Sequence, residues 1–262
     1  MGSAASRLLT LLLLAACLGR TRQFSFQHAL RLRGGQKMAP AADTFTLQQL
    51  ALELADARAH IQKVTGLDDD MVCRMILTTR MANLPLARCT AGPSSVPGAG
   101  QGLFVSRDIA EGELITLYPS DCVIIWEDAE HSLDGNVQLF FGRHIPDAQR
   151  DAARAVLELK GYHVPTTETR SICADPALVD DAAYLGHMAN DAVACESAEF
   201  QESYERDSMA RANAEIIPFD VAEVDEAGNN LVLHYALRAL KPMQAGEEVF
   251  LHYGFDYWQL NA

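Results

Sequence analysis

The sequence predicts an α+β protein in which helices flank several small twisted sheets. Three observations carry this: two segments in which short apolar runs are broken by Gly-Glu turns, an amphipathic helical pattern ahead of them, and helix-favouring stretches set between them. Of the 262 residues, 49% are apolar, enough for a substantial core once the first forty residues are set aside.

Residues 1–42 read as a targeting leader. Arg7 precedes the apolar run Leu8 to Leu18, broken only by Thr10, which is too short for a membrane span and suits a signal-peptide core. Arg20 to Lys37 then carries arginines and no acid, with Phe24 and Phe26 near its start, as transit peptides do. A signal followed by a transit region suits the two-part leader of algal secondary plastids; a mitochondrial leader or a secretory signal fits the same residues. Translation from Met38 would instead leave a leaderless cytosolic or nuclear protein.

Residues 43–90 read as a helical region. Leu47, Leu50, Leu54, Ala57, Ile61 and Val64 recur at spacings of three and four, with Asp43 and Thr44 as caps and Gly66 as a stop. This short stripe is expected to pack on its own domain rather than on a second copy, so a monomer is expected. Asp68, Asp69 and Asp70 open a second helix expected to run to Asn83, ahead of Pro85.

Residues 91–262 form the main domain, entered through a linker from Ala91 to Pro97. Gly98-Ala-Gly-Gln-Gly102-Leu-Phe-Val-Ser leads through the turn Gly112-Glu113 to Leu114-Ile-Thr-Leu-Tyr118, which reads as a strand hairpin. Two helical insertions follow, at about 146–160 and 195–212, around the segment Tyr184-Leu-Gly-His187-Met-Ala-Asn190-Asp191. Finally, Leu233 to Leu240 and Val249 to Tyr253 read as strands, with Lys241-Pro242 and Ala245 to Glu248 as the turn between them. This last run brings Tyr253, Tyr257 and Trp258 into a small space.

The net charge of −14 understates the acidity of the domain, because residues 1–42 hold six basic residues and no acid. Such a surface repels phosphate backbones and attracts basic peptides, which argues against direct nucleic-acid binding. The six cysteines include no close pair, so no zinc-ligand spacing exists and no metal is expected. A dinucleotide-binding reading of Gly98 to Gly102 fails on context, since a strand-like run follows the glycines where a helix N-terminus is needed.

The three blocks Gly100 to Phe104 with Gly112-Glu113, Tyr184 to Asp191, and Gly246 to Gly254 resemble, in that order, the SET domain of protein-lysine methyltransferases. The resemblance implies a SET-like β-fold and transfer of methyl from S-adenosylmethionine to a lysine of a basic protein substrate. It implies Tyr253 as the catalytic tyrosine, joined by Tyr118, and a donor site formed by Gly100, Gln101, Gly102, Leu103, Gly186, His187 and Asn190, with Tyr257 and Trp258 stacking on adenine. The substrate channel falls to Leu251 and Phe255. Zinc modules that flank many histone-directed relatives are missing, so the channel must be closed otherwise.

One departure matters. Relatives commonly show Asn-His-Ser-Cys where this chain has Gly186-His187-Met188-Ala189, so the amide expected at 186 is absent and Asn190 is the candidate to replace it. His187 itself is expected to be a hydrogen-bonded structural histidine. The alternative reading is a catalytically silent SET-like peptide-binding protein or a helix-mediated adaptor using residues 44–65.

Overall fold

The computed structural model describes residues 47–67, 69–81, 84–127, 137–142, 144–145, 150, 160–167, 169–194, 198–224, 230–255 and 257–258. The leader, the caps Asp43 and Thr44, Cys195 and nearly all of the 146–160 helix lie outside the described residues. Helices α1 (Leu47–Thr65) and α2 (Asp69–Leu77) precede strands β1 (Cys89–Pro93), β2 (Gln101–Val105), β3 (Leu114–Tyr118), β4 (Cys122–Ile125) and β5 (Gln138–Phe141). Then come β6 (His163–Thr167), β7 (Arg170–Cys173), β8 (Asn190–Asp191), α3 (Gln201–Arg211), β9 (Ala214–Val224), β10 (Asn230–Ala239) and β11 (Glu248–Leu251).

The strands form three small sheets, ordered β1-β2-β11-β8, β3-β10-β9 and β5-β4-β7-β6. The expected first hairpin does not form. β2 pairs with β11 and β3 with β10, so the two strand–turn–strand segments exchange partners. Their turns lock together: Ile109 and Met243 each donate a main-chain N–H to the other's oxygen at 2.9 Å. Gly112 donates to Ala239 at 2.9 Å and Gly246 to Val105 at 2.8 Å, both glycines holding positive φ, where a Cβ is strained. The turns span too many residues to close a tight hairpin and satisfy their main-chain groups on each other instead. Leu103, Val105, Ile109, Ile115, Leu237 and Val249 fill the crossing.

Helix α1 packs through Leu50 and Leu54, with Ala57 and Ile61 beside them, against Leu114, Leu117, Phe219 and Ala236 of the sheets. Val64, expected on the same stripe, is 64% exposed, so the packed face ends one turn earlier. The stripe from Leu50 to Ile61 is thus packed on the host core.

Helix α2 ends at Leu77, six residues short of the expected Asn83. The hydroxyls of Thr78 and Thr79 bond back to the oxygens of Arg74 and Met75 at 2.8 and 2.6 Å, competing with helix continuation. Arg80 then turns to grip Asp121 through two bonds of 2.9 and 2.8 Å. Met81 gives its N–H to the Tyr184 hydroxyl at 2.8 Å.

Candidate active site

One cavity of about 710 Å³ lies where the sheets meet. Its walls come from the Val96 to Gln101 loop, the end of β3, the start of β6, the 186–191 segment and the C-terminal run from Leu251 to Trp258. Of the residues named from sequence, Gln101, Tyr118, Gly186, His187, Asn190, Leu251, Tyr253, Tyr257 and Trp258 line it.

Four others do not. The Leu103 side chain is fully buried in the core, because strand alternation turns it away from the cavity. Phe255 packs inward at 9% exposure, its N–H on Glu205. Gly100 makes the turn at a φ of 73°. Gly102 is required for close packing, since a Cβ there would overlap the Glu248 carboxylate. That carboxylate accepts from Ser94 Oγ at 2.5 Å and from Ser95 N and Oγ at 2.8 and 2.5 Å. It therefore ties the start of the 96–101 loop to β11.

The two tyrosines are held alike. Tyr118 donates its hydroxyl proton to the Tyr162 main-chain oxygen, and Tyr253 donates to that of Ala189, each at 2.7 Å. Burial raises both phenols well above their ordinary range, so both stay protonated at neutral pH. With their protons committed, the oxygens keep lone pairs to accept a hydrogen bond from a ligand. Tyr257 meets Tyr253 edge-on at 4.5 Å and the Trp258 ring lies at 29° to it, 6.3 Å away.

The 186–191 segment is resolved into two parts. Gly186–Met188 is a single 3-10 turn, whereas Asn190–Asp191 is a strand parallel to β11. A Cβ at 186 would sit 2.8 Å from the Leu117 oxygen, leaving no room for an amide there. The amide on the cavity wall belongs to Asn190, whose Nδ2 donates to the Gln101 oxygen at 2.8 Å.

His187 departs from expectation. It is 5% exposed, and neither ring nitrogen has a hydrogen-bond partner among the described residues. Its ring meets Tyr118 and Tyr162 edge-on instead. Burial lowers its pKa to about 4, so it is neutral at physiological pH.

Sequence reasoning missed Tyr162 and Asp191. Tyr162 adds a fifth aromatic wall to the cavity, and Gly161-Tyr162 directly before β6 was the available signal. Asp191 is 4% exposed and accepts four hydrogen bonds, from Ser208 Oγ, Val193 N, Tyr204 Oη and Tyr253 N. Among the described lining residues it is the only carboxylate, and none is Lys or Arg. A lining without Lys or Arg offers nothing to neutralise phosphate.

The SET domain profile matches residues 100–254. A search of curated proteins returns no match. A solved candidate histone methyltransferase from Plasmodium falciparum is 15% identical, with 65% of this chain and 96% of that chain covered and a TM-score of 0.31. A Chaetomium thermophilum Polycomb Repressive Complex 2 bound to GSK126 is 20% identical over 63% of this chain and 16% of that one, with a TM-score of 0.35. The complex in an autoinhibited conformation bound to S-adenosylmethionine is 18% identical over 63% and 15%, with a TM-score of 0.32. The match spans under a fifth of the Polycomb chains' length.

Proposed function

The chain belongs to the SET domain family, and from that premise we propose that it is a protein-lysine N-methyltransferase using S-adenosylmethionine. The observation that carries the reading is the pair of half-buried tyrosines, Tyr118 and Tyr253, whose hydroxyls are fixed on main-chain oxygens at the wall of one cavity.

The cavity residues fit the donor. Its volume of about 710 Å³ lies in the range of small-molecule and cofactor sites. The lack of Lys or Arg among the described lining residues suits a ligand that bears no phosphate. Gln101 and Asn190 supply polar groups, and Tyr257 and Trp258 supply faces for a base to stack on. Bound there, S-adenosylmethionine supplies an electrophilic methyl group.

The chain's own residues prepare the acceptor. A lysine amine must be neutral to attack, and an aromatic cavity lowers its pKa by withdrawing water from the ammonium. The Tyr253 oxygen, its proton already given to Ala189, accepts an N–H of the amine and so aims the nitrogen lone pair. A phenol held protonated by burial orients and does not abstract. The acid-rich chain, net −14, favours a basic protein substrate. Leu251 on the wall is smaller than an aromatic residue and carries no hydroxyl to hold a blocking water, which supports di- or trimethylation.

The test is incubation of the purified chain with methyl-labelled S-adenosylmethionine and a lysate of the source cell. Label on lysine of a protein band supports the reading; absence of any labelled lysine, with the donor bound, points to a binding role without turnover.

A further inference from the structure

Helix α3 lies between β8 and β9 in sequence and buries only two of its side chains, Tyr204 and Ser208. Both point at one acceptor. The Tyr204 hydroxyl donates to Asp191 Oδ2 at 2.6 Å and the Ser208 hydroxyl to Oδ1 at 2.7 Å. The same Oδ2 accepts the Tyr253 main-chain N–H at 3.0 Å. Around that point the helix holds the neighbours of Tyr253 as well. Ser208 Oγ lies 2.8 Å from His252 Nδ1, Glu205 Oε2 lies 2.9 Å from His252 Nε2, and Glu205 Oε1 accepts the Phe255 N–H at 3.3 Å. The Tyr204 ring stacks on His252 and meets Trp258 edge-on.

Two anchors therefore fix Tyr253 from opposite ends. Its hydroxyl rests on the Ala189 oxygen and its main chain on Asp191, two residues further along the same segment. Removing one leaves the ring free to pivot about the other. A hydrophobic helix would have held α3 in place with less directional control; this one spends its buried contacts on polar groups that converge on a single carboxylate.

We infer that Asp191 is the positioning residue for Tyr253, and that α3 is the part of the chain that holds Asp191 for this task. The inference rests on the methyltransferase reading for its kinetic consequence, though not for its geometry. Asp191 touches neither the amine nor the methyl in this account; it acts through the tyrosine.

The experiment compares the full chain with Asp191→Asn, which loses acceptors, and with Tyr204→Phe, which removes one donor and keeps the ring. Both are expected to lower kcat, the first at least tenfold, while the Kd for S-adenosylmethionine stays within about threefold. With 3-fluorotyrosine installed at position 253, the parent protein should give one narrow fluorine resonance, and both variants should broaden or split it. An unchanged resonance and kcat in the two variants would overturn the inference, as would equal losses of kcat and donor affinity. Should the parent protein bind no donor while the resonance still splits in the variants, the methyltransferase reading fails and the positioning role stands.

Discussion

The Tyr253 hydroxyl lies 2.7 Å from the main-chain oxygen of Ala189 and donates its proton there. That bond leaves the phenol oxygen with only acceptor capacity, which is what orienting a neutral amine requires. Replacing Tyr253 by Phe removes the acceptor and leaves the ring stacked with Trp258. We expect kcat to fall by about 10²- to 10³-fold, in line with loss of a single oriented polar contact to the reacting centre. Donor affinity should stay within about twofold, as calorimetry can check.

Leu251 is 6% exposed, packs in the core beside Val249 and Met188, and also lines the cavity. On the proposed reading its size limits the space around the acceptor nitrogen. Mass spectrometry of the modified peptide at saturating donor should find di- or trimethyl-lysine. Leu251→Tyr should shift the product toward monomethyl-lysine; a strictly monomethyl product from the parent protein would refute the argument.

Glu248 is buried at 7% and accepts three bonds from Ser94 and Ser95. Glu248→Ala strands those donors at about 1–3 kcal/mol of stability. Because the loop they begin forms one wall of the cavity, donor Kd should rise more than fivefold. Thermal melting and calorimetry on one preparation test both parts, and a stability loss with unchanged donor affinity would show that the loop is held otherwise.

Stability should fall on acidification in two stages. His187 has its pKa lowered from 6.5 to about 4 by burial, so the unfolded chain binds the extra proton between those values. Its contribution is fully present above pH 6.5 and is lost as pH falls toward 4, on the order of 3 kcal/mol. Asp121 follows. Burial alone would raise its pKa, but hydrogen bonds from His144 and Arg80 and the Arg80 charge hold it at about 2 against an ordinary 3.8. That contribution, about 2 kcal/mol, is present above pH 3.8 and is lost as pH falls toward 2. His187→Phe should flatten the first stage in urea titrations taken from pH 7 to 4; an unaltered slope would mean that the ring is not buried neutral.

Much of the fold is legible because its signals are local. The α1 stripe from Leu50 to Ile61 and the Gly-Glu pairs at 112 and 246 announce a helix and two turns, and both glycines hold the positive φ such turns use. The exchange of partners between the two turn segments is not local, since Ile109 and Met243 meet across more than a hundred residues. The length of each turn argues against a tight hairpin, but nothing in either segment names the partner it crosses. In the site, the tyrosines were legible from the aromatic end of each segment. Asp191 was not, because its partners Tyr204 and Ser208 lie 13 and 17 positions on. Their spacing of four, on an otherwise charged helix, was the one trace of it. The missing amide at 186 is explained by crowding against Leu117 and Leu237, which only the packed structure reveals.

The central claim is that the cavity beside Tyr118 and Tyr253 takes a sulfonium methyl donor. Isothermal calorimetry of the purified chain with S-adenosylmethionine tests it most directly. The account predicts saturable one-to-one binding, weakened more than fivefold by Asn190→Ala, because that amide bridges the cavity wall to Gln101. Heat indistinguishable from dilution at millimolar donor would contradict it.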